Sequence, residues 1–301
     1  MKRLFNADRS VLKSDLLLLL TASIWGFAFV AQRAGMEHIG PFLFNGIRFA
    51  LGTAVLIPII AVRKRRGRYG NARIPLKDGV LAGLVLFAGA SLQQIGLVYT
   101  TAGNAGFVTG LYVIIVPLIG IFIGQSAGWR TWTGSALAAG GMFLLSAAGS
   151  PGMATGDLIV LAGAFFWAFH IQIISRLMRK HRALPLAAVQ FGLCSLLSLA
   201  AAALFETFYA QGAMDAAVPL LYGGLVSVGI AYTLQVVAQK KAHPAHAAII
   251  MSLETVFALA GGWLILDEKV TLQGSAGGLL MISAMIISAL GQYARRAPEG
   301  L

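Results

Sequence analysis

The segment DLLLLLTASIWGF at residues 15–27 returns as DLIVLAGAFFWAF at residues 157–169, an offset of 142 positions. Asp15, Trp25 and Phe27 thereby align with Asp157, Trp167 and Phe169. The same offset pairs Leu92-Gln93 with Leu234-Gln235, Ala105 with Ala247 and Leu111 with Leu253. GSA at 134–136 comes back at 274–276, an offset of 140 that fits a loop two residues shorter. Apolar helices match one another by chance, but a shared offset across several of them marks a duplicated chain.

What is duplicated is a set of membrane spans. The chain of 301 residues is 58% hydrophobic and 11% charged, with a mean hydropathy of +0.80. A soluble chain carries about 25% charged residues, so the natural solvent here is lipid. A span needs about 20 mainly apolar residues, and ten such runs can be read: 14–32, 41–62, 78–99, 103–124, 131–149, 157–175, 186–206, 217–238, 246–266 and 272–292. The apolar run LLLLLTASIWGFAFVA follows a basic start without a small-residue cleavage site, so it reads as the first span rather than a cleaved signal. Pro41 and Pro185 stand at helix starts, where a missing N–H does no harm.

Charge sets the orientation. The net charge is +12, but Lys and Arg lie in short clusters between apolar runs, such as RKRRGR at 63–68, and form no stripe on a folded domain; no nucleic-acid partner is expected. With the N-terminus inside, all but three of the 23 Lys and Arg fall in inside segments; Arg33 and Lys269 lie outside and Arg48 lies within a span. Both termini are therefore expected in the cytoplasm, with the chain threading a membrane many times. Five spans per copy is an odd number, so the two copies enter the membrane in opposite directions. The expectation is an all-α membrane protein of two inverted five-helix repeats, at 14–149 and 157–292. Such inverted pairs suit transport, because exchanging the conformations of the halves opens a central site to each side in turn.

ASIWGFAFVAQRAG at 22–35, TTAGNAGFVTGLYVIIVPLIG at 100–120 and AHAAIIMSLETVFALAGGWLILDEKVTLQGSAGG at 245–278 resemble the drug/metabolite transporter superfamily, EamA type. The resemblance runs over about 14–292. It implies a secondary transporter exporting amino acids and related small metabolites by alternating access. It leaves open an importer, or a multidrug, nucleotide-sugar or vitamin carrier of the same fold. The third segment resembles the family's Ser-Leu-Glu-Pro pattern, but Thr255 stands where proline is usual, which predicts a straighter helix there.

Candidate residues follow from polarity at depth. Glu254 lies about 12 Å into the ninth span at 1.5 Å per residue, where an ionisable group must face the bundle interior, a partner or water. It reads as a coupling or amine-binding carboxylate, or as a buried anchor. Its repeat mate is Tyr112, so the acid breaks the symmetry. Arg48, about 10 Å from the outer face, pairs with Glu254 or, more naturally, with helix-end carbonyls. Trp25 and Trp167 are mates suited to a cavity wall or to helix packing. His170, three residues after Trp167, shares its face and is read as a wall residue, as a proton carrier or as a satisfied core histidine. Gln93 and Gln235 are mates whose amides can meet a zwitterion or link helices. Tyr232 is a further wall candidate. The expected walls come from the first, third, fourth, sixth, eighth and ninth spans. Pro117 and Gly110 can hinge the fourth span or let it pack closely. The stripes GSALAAGG and GSAGG read as packing surfaces or a homodimer contact.

Other classes find little support. No G-x-x-x-x-G-K-[ST] is present, so no ATP hydrolysis is expected. HPAH at 243–246 has no third ligand nearby, so no metal and no cofactor are expected, and no catalytic cluster points to an enzyme. Cys194 is alone and reads as a packing residue. The rival outside transport is a non-transporting membrane scaffold subunit.

Overall fold

The computed structural model describes residues 2–67, 74–147, 155–266 and 271–294. Among them there is no strand; every regular element is helical. Hydrocarbon offers no partner for backbone polar groups, so helices that satisfy their own N–H and C=O are the solution for such a chain.

The first half runs through α1 (Lys2–Gly35), α2 (Pro41–Arg65), α3 (Leu76–Val98), a broken helix made of α4 (Ala102–Gly110) and α5 (Tyr112–Phe122), and α6 (Trp129–Ala147). The second half runs through α7 (Thr155–Leu177), α8 (Ala183–Phe205), the short α9 (Ala210–Asp215) and a composite span. That span joins α10 (Ala217–Leu221), a π-helical stretch (Tyr222–Tyr232) and α11 (Thr233–Ala238). A second broken helix of α12 (Pro244–Met251) and α13 (Glu254–Leu266) follows, then α14 (Leu272–Ala294). Among the described residues, nine of these spans are long and apolar enough to cross a membrane. The expected fifth span falls on α6, which is not among those nine. Residues 148–149 of that span and the first repeat's expected end lie outside the described residues, as do Asp267-Glu268, Lys269, Arg295 and Arg296.

The two broken helices correct one expectation. Without a proline, the helix around Thr255 is still interrupted, at Ser252–Leu253. The cause is a local tightening of the backbone: Leu253 N–H donates to Ile250 C=O (3.2 Å) and Thr255 N–H to Ser252 C=O (3.2 Å), three residues back instead of four. The mate break does the same, with Leu111 N–H on Val108 C=O at 3.2 Å. Gly110 ends the first half of that helix, and Pro117 lies inside the second.

Two pairs of mate helices, α2 with α8 and α6 with α14, pack on each other and run antiparallel, as inverted copies do. The end of α8 meets the start of α2 through Glu206, whose carboxylate accepts the Phe42 and Leu43 N–H groups at 2.7 and 2.8 Å. Arg130 at the start of α6 reaches the Leu290 carbonyl near the end of α14. The halves also interleave. α1 packs chiefly on the π-helical stretch and on α11 to α13 of the second half, while α7 packs on α3, α4 and α5 of the first. The result is two mixed groups: α1, α2 and the helices of 217–266, against α7, α8 and α3 to α5. Glycines set the close approach within a group. A Cβ on Gly26 of α1 would run into Phe257, the Glu254 carbonyl and Ala258 of α13.

Candidate functional site

The two broken helices present their breaks to one another across the pseudo-twofold axis. Tyr112 opens α5 and Glu254 opens α13, and the Tyr112 hydroxyl donates to Glu254 Oε1 at 3.1 Å. These residues are repeat mates, so the symmetry that places them at equivalent positions also brings them into contact. Both are buried, at 3% exposure each.

Around this contact lies a cavity whose wall is largely made of mates: Trp25 with Trp167, Phe29 with Ile171, Gln93 with Gln235 and Tyr112 with Glu254. It is narrow, about 30 Å³, space for about two waters. Tyr232, without an aromatic mate, stands at the centre of a ring cluster. Its ring centroid is 4.5 Å from Trp25, 6.0 Å from Trp167, 5.8 Å from Phe49 and 5.9 Å from Phe191. Phe49 and Phe191 are themselves mates, 6.1 Å apart. The π-helical stretch ends at Tyr232 and also supplies Ser227 to the wall; such widened turns are rare and gather at functional sites.

Several polar atoms of the wall have no hydrogen-bond partner in the protein: both indole nitrogens, Trp25 Nε1 and Trp167 Nε1, with Arg48 Nη2, Thr109 Oγ1 and Gln235 Oε1. A buried donor or acceptor left unmet costs about 1–3 kcal/mol, so a water or solute held here would find partners in these groups. Donors and acceptors are both on offer, and Glu254 adds a carboxylate beside them.

Arg48 joins this wall from α2, which was not among the expected helices. Neither expected partner holds it. Its Nε donates to Asn45 Oδ1 at 2.9 Å, and its guanidinium carbon sits 5.7 and 5.0 Å from the Phe44 and Phe49 ring centroids. Asn45 is fixed in turn by donating to the Ala90 carbonyl at 3.0 Å. Among the described residues no ion pair joins Arg48 to Glu254. The side chain is thus positioned by a short-range bond and two rings, and its Nη2 has no hydrogen-bond partner in the protein.

His170 is a correction. It is not in the cavity wall; Nε2 meets Gln190 Oε1 of α8 at 2.8 Å and the ring stands edge-on to Trp167 at 6.1 Å. Trp167 and Ile171, four apart, share the wall, and a third position three residues on turns towards the neighbouring helix. Gly110 and Pro117 are not wall residues either; Gly110 borders Met142 and Thr255. Gln32 and Thr109 join the wall without a sequence signal, since their mates are apolar, whereas Phe29 with Ile171 and Phe49 with Phe191 obey the repeat offset.

A separate buried array lies between α1, α12 and α14. His246 Nδ1 meets Ser288 Oγ at 2.8 Å and Nε2 meets Asp15 Oδ1 at 3.0 Å. The mate aspartate, Asp157, instead accepts from the Thr100 hydroxyl. Among the described residues no group of three or more His, Cys, Asp or Glu could hold a metal ion.

Residues 12–147 and 154–290 each match the EamA-like transporter family. The chain is 32% identical over 280 residues to an Archaeoglobus fulgidus protein described as an uncharacterized transporter, spanning 93% of this chain and 86% of that one. It is 24% identical to a probable amino-acid metabolite efflux pump of Escherichia coli (strain K12), over 95% of this chain and 97% of that one. A solved crystal structure shares the fold with a TM-score of 0.77 at 19% identity, covering 94% of this chain and 99% of the other.

Proposed function

The chain belongs to the EamA-like transporter family, and from that premise we propose that it exports amino acids or related small metabolites across the bacterial inner membrane. The observation that carries this reading is the cavity on the axis, where indole, guanidinium and hydroxyl donors and an amide acceptor stand without protein partners beside a buried carboxylate. An α-amino acid supplies the complement: a carboxylate for Arg48 and the indole N–H groups, an ammonium for Glu254 and the Gln235 oxygen. The efflux relative from Escherichia coli supports the same solute class. The basic loops support a cytoplasmic position for both termini.

Alternating access needs two bodies that move about the site. The interleaved packing makes the two mixed groups the natural bodies, rather than the sequence halves, because α1 and α7 are each embedded in the other half. The breaks at Leu111 and Ser252–Leu253 supply backbone that bends where a continuous helix would resist. At about 30 Å³ the site offers too little space for a solute, so on this reading binding requires the groups to part.

Counterflow in proteoliposomes tests the proposal. Labelled amino acids and their metabolites are offered outside vesicles loaded with unlabelled solute, with Glu254→Gln in parallel. Uptake of one class that depends on internal solute supports the carrier. Absence of uptake across the panel by folded protein removes the amino-acid reading, and co-purification of a defined partner complex in that case favours a scaffold role.

A further inference from the structure

A larger opening than the central cavity lies elsewhere, between α2 and the start of α8, at the end of the bundle that carries the basic loops. Its volume is about 770 Å³, within the range of ligand-sized pockets. Its walls are apolar, from Ile57, Ile60, Ala188 and Val189, and Ile57 is 59% exposed. Its rim is basic: Lys64 from α2, and Lys180 and Arg182 ahead of α8. His181 on the same rim is engaged with Asp78 of α3. The eleven positions from Thr53, at the bottom of the groove, to Lys64 span about 16 Å at 1.5 Å per residue. That is close to half of a hydrocarbon core about 30 Å thick.

The same two helices meet again at their other ends, and there the groove is shut. Glu206, the mate of Lys64, lies over Gly40 and accepts the Phe42 and Leu43 N–H groups. Ser195 Oγ donates to the Gly46 carbonyl at 2.8 Å, and the Phe42 and Phe205 rings meet tilted, their centroids 6.3 Å apart. A lysine has donors only and cannot close a helix start as a carboxylate does, so the substitution of Lys64 for Glu206 leaves this end open and positive.

We propose that this groove is a binding site for an anionic phospholipid, its phosphodiester headgroup on the Lys64, Lys180 and Arg182 rim and an acyl chain along Ile57, Ile60, Ala188 and Val189. Charge complementarity selects the occupant: an apolar trough one leaflet deep, opening at hydrocarbon and crowned by cations, matches a lipid with a negative headgroup. A zwitterionic lipid fits the trough but meets no net complement at the rim, and a soluble phosphate ester leaves the trough unfilled.

Native mass spectrometry of the full chain in neutral detergent provides the test, with dioleoylphosphatidylglycerol and dioleoylphosphatidylcholine titrated separately. The expected result is a first phosphatidylglycerol adduct favoured by more than about tenfold over phosphatidylcholine. Each of Lys64→Gln, Lys180→Gln and Arg182→Gln should lower that preference by up to about fivefold, the equivalent of about 1 kcal/mol per basic residue at a bilayer surface. Lys64 and Lys180 are exposed, so their variants keep the fold. Ala188→Phe, which fills the trough, should weaken binding of both lipids, and glycerol 3-phosphate should not displace either. Equal binding of the two lipids, or a preference that survives the triple glutamine variant, overturns the proposal. Displacement by glycerol 3-phosphate overturns it in favour of a soluble phosphate ester.

Discussion

The two halves of this molecule agree where the cavity needs shape and differ where it needs charge. Trp25 and Trp167, Gln93 and Gln235, and Phe49 and Phe191 are identical mates at or just behind the wall. Tyr112 faces Glu254, Arg48 answers to Gln190, and Lys64 to Glu206. A site on a pseudo-twofold axis looks the same from either side of the membrane if its walls are symmetric, which alternating access exploits. Under the proposed function, a single carboxylate and a single guanidinium would give the bound solute one orientation. The third helix differs too: α3 is regular, while its counterpart is π-helical over Tyr222–Tyr232 and delivers Tyr232 to the centre of the ring cluster.

The sharpest way to break this division is to remove its charge. Glu254→Gln should lower the initial counterflow rate by about 100-fold, the scale of losing one partner of a buried charged contact, and should flatten the dependence of transport on pH. Unchanged rate and pH dependence would make Glu254 a structural anchor. Exchanging the mates, with Tyr112→Glu and Glu254→Tyr together, should recover most of that loss if the axis is functional; a double variant no better than Glu254→Gln alone would show that the acid serves only from α13.

Packing gives the next contrast. Gly26 and Ala168 are mates, yet only the glycine faces backbone of α13 where a Cβ would collide. Gly26→Ala should cost about 2 kcal/mol by overpacking, read as a lower melting temperature, while Ala168→Gly costs about 1 kcal/mol or less. Equal losses would mean that the two mixed groups pack alike. Among the wall residues, Trp25→Phe and Trp167→Phe keep the ring and remove one unpartnered donor each. Each should reduce counterflow by about tenfold, and by the same factor within about twofold if the solute leans on both halves; unequal losses would reveal a preferred side. The smallest effect is expected at the aspartate mates. Thr100→Val, which removes the hydroxyl bonded to Asp157, should cost about 1 kcal/mol of stability, and His246→Ala more, because it leaves both Asp15 and Ser288 without their imidazole. Equal losses in thermal melts would erase the distinction between these two arrays.

Much of this was legible in the chain. The constant offset identified Trp25, Trp167, Gln93 and Gln235 as equivalent, and Glu254 as the residue that breaks the equivalence. It did not reveal Gln32 or Thr109, whose apolar mates give no signal, nor that His170 turns to Gln190 and away from Trp167's wall. Helical spacing states which residues share a broad face; the neighbour to which each edge of that face is turned depends on packing angles between helices. The interrupted helix at Ser252–Leu253 was hidden for a related reason. Without proline, a break arises from tightened backbone bonds that the surrounding bundle holds in place, and residue type does not announce it.

The sequence by itself determined that lipid is the solvent, that the chain is duplicated, and that an acid and an arginine lie at membrane depth, because hydropathy, charge and periodicity are properties of residues in order. Only the tertiary structure decided that Tyr112 touches Glu254, that α1 and α7 are each embedded in the other half, and that the α2–α8 seam is shut at Glu206 and open at Lys64. An offset encodes equivalence, not adjacency. Mates meet only where packing brings both to the axis, and that is settled by which side chains fit between antiparallel helices.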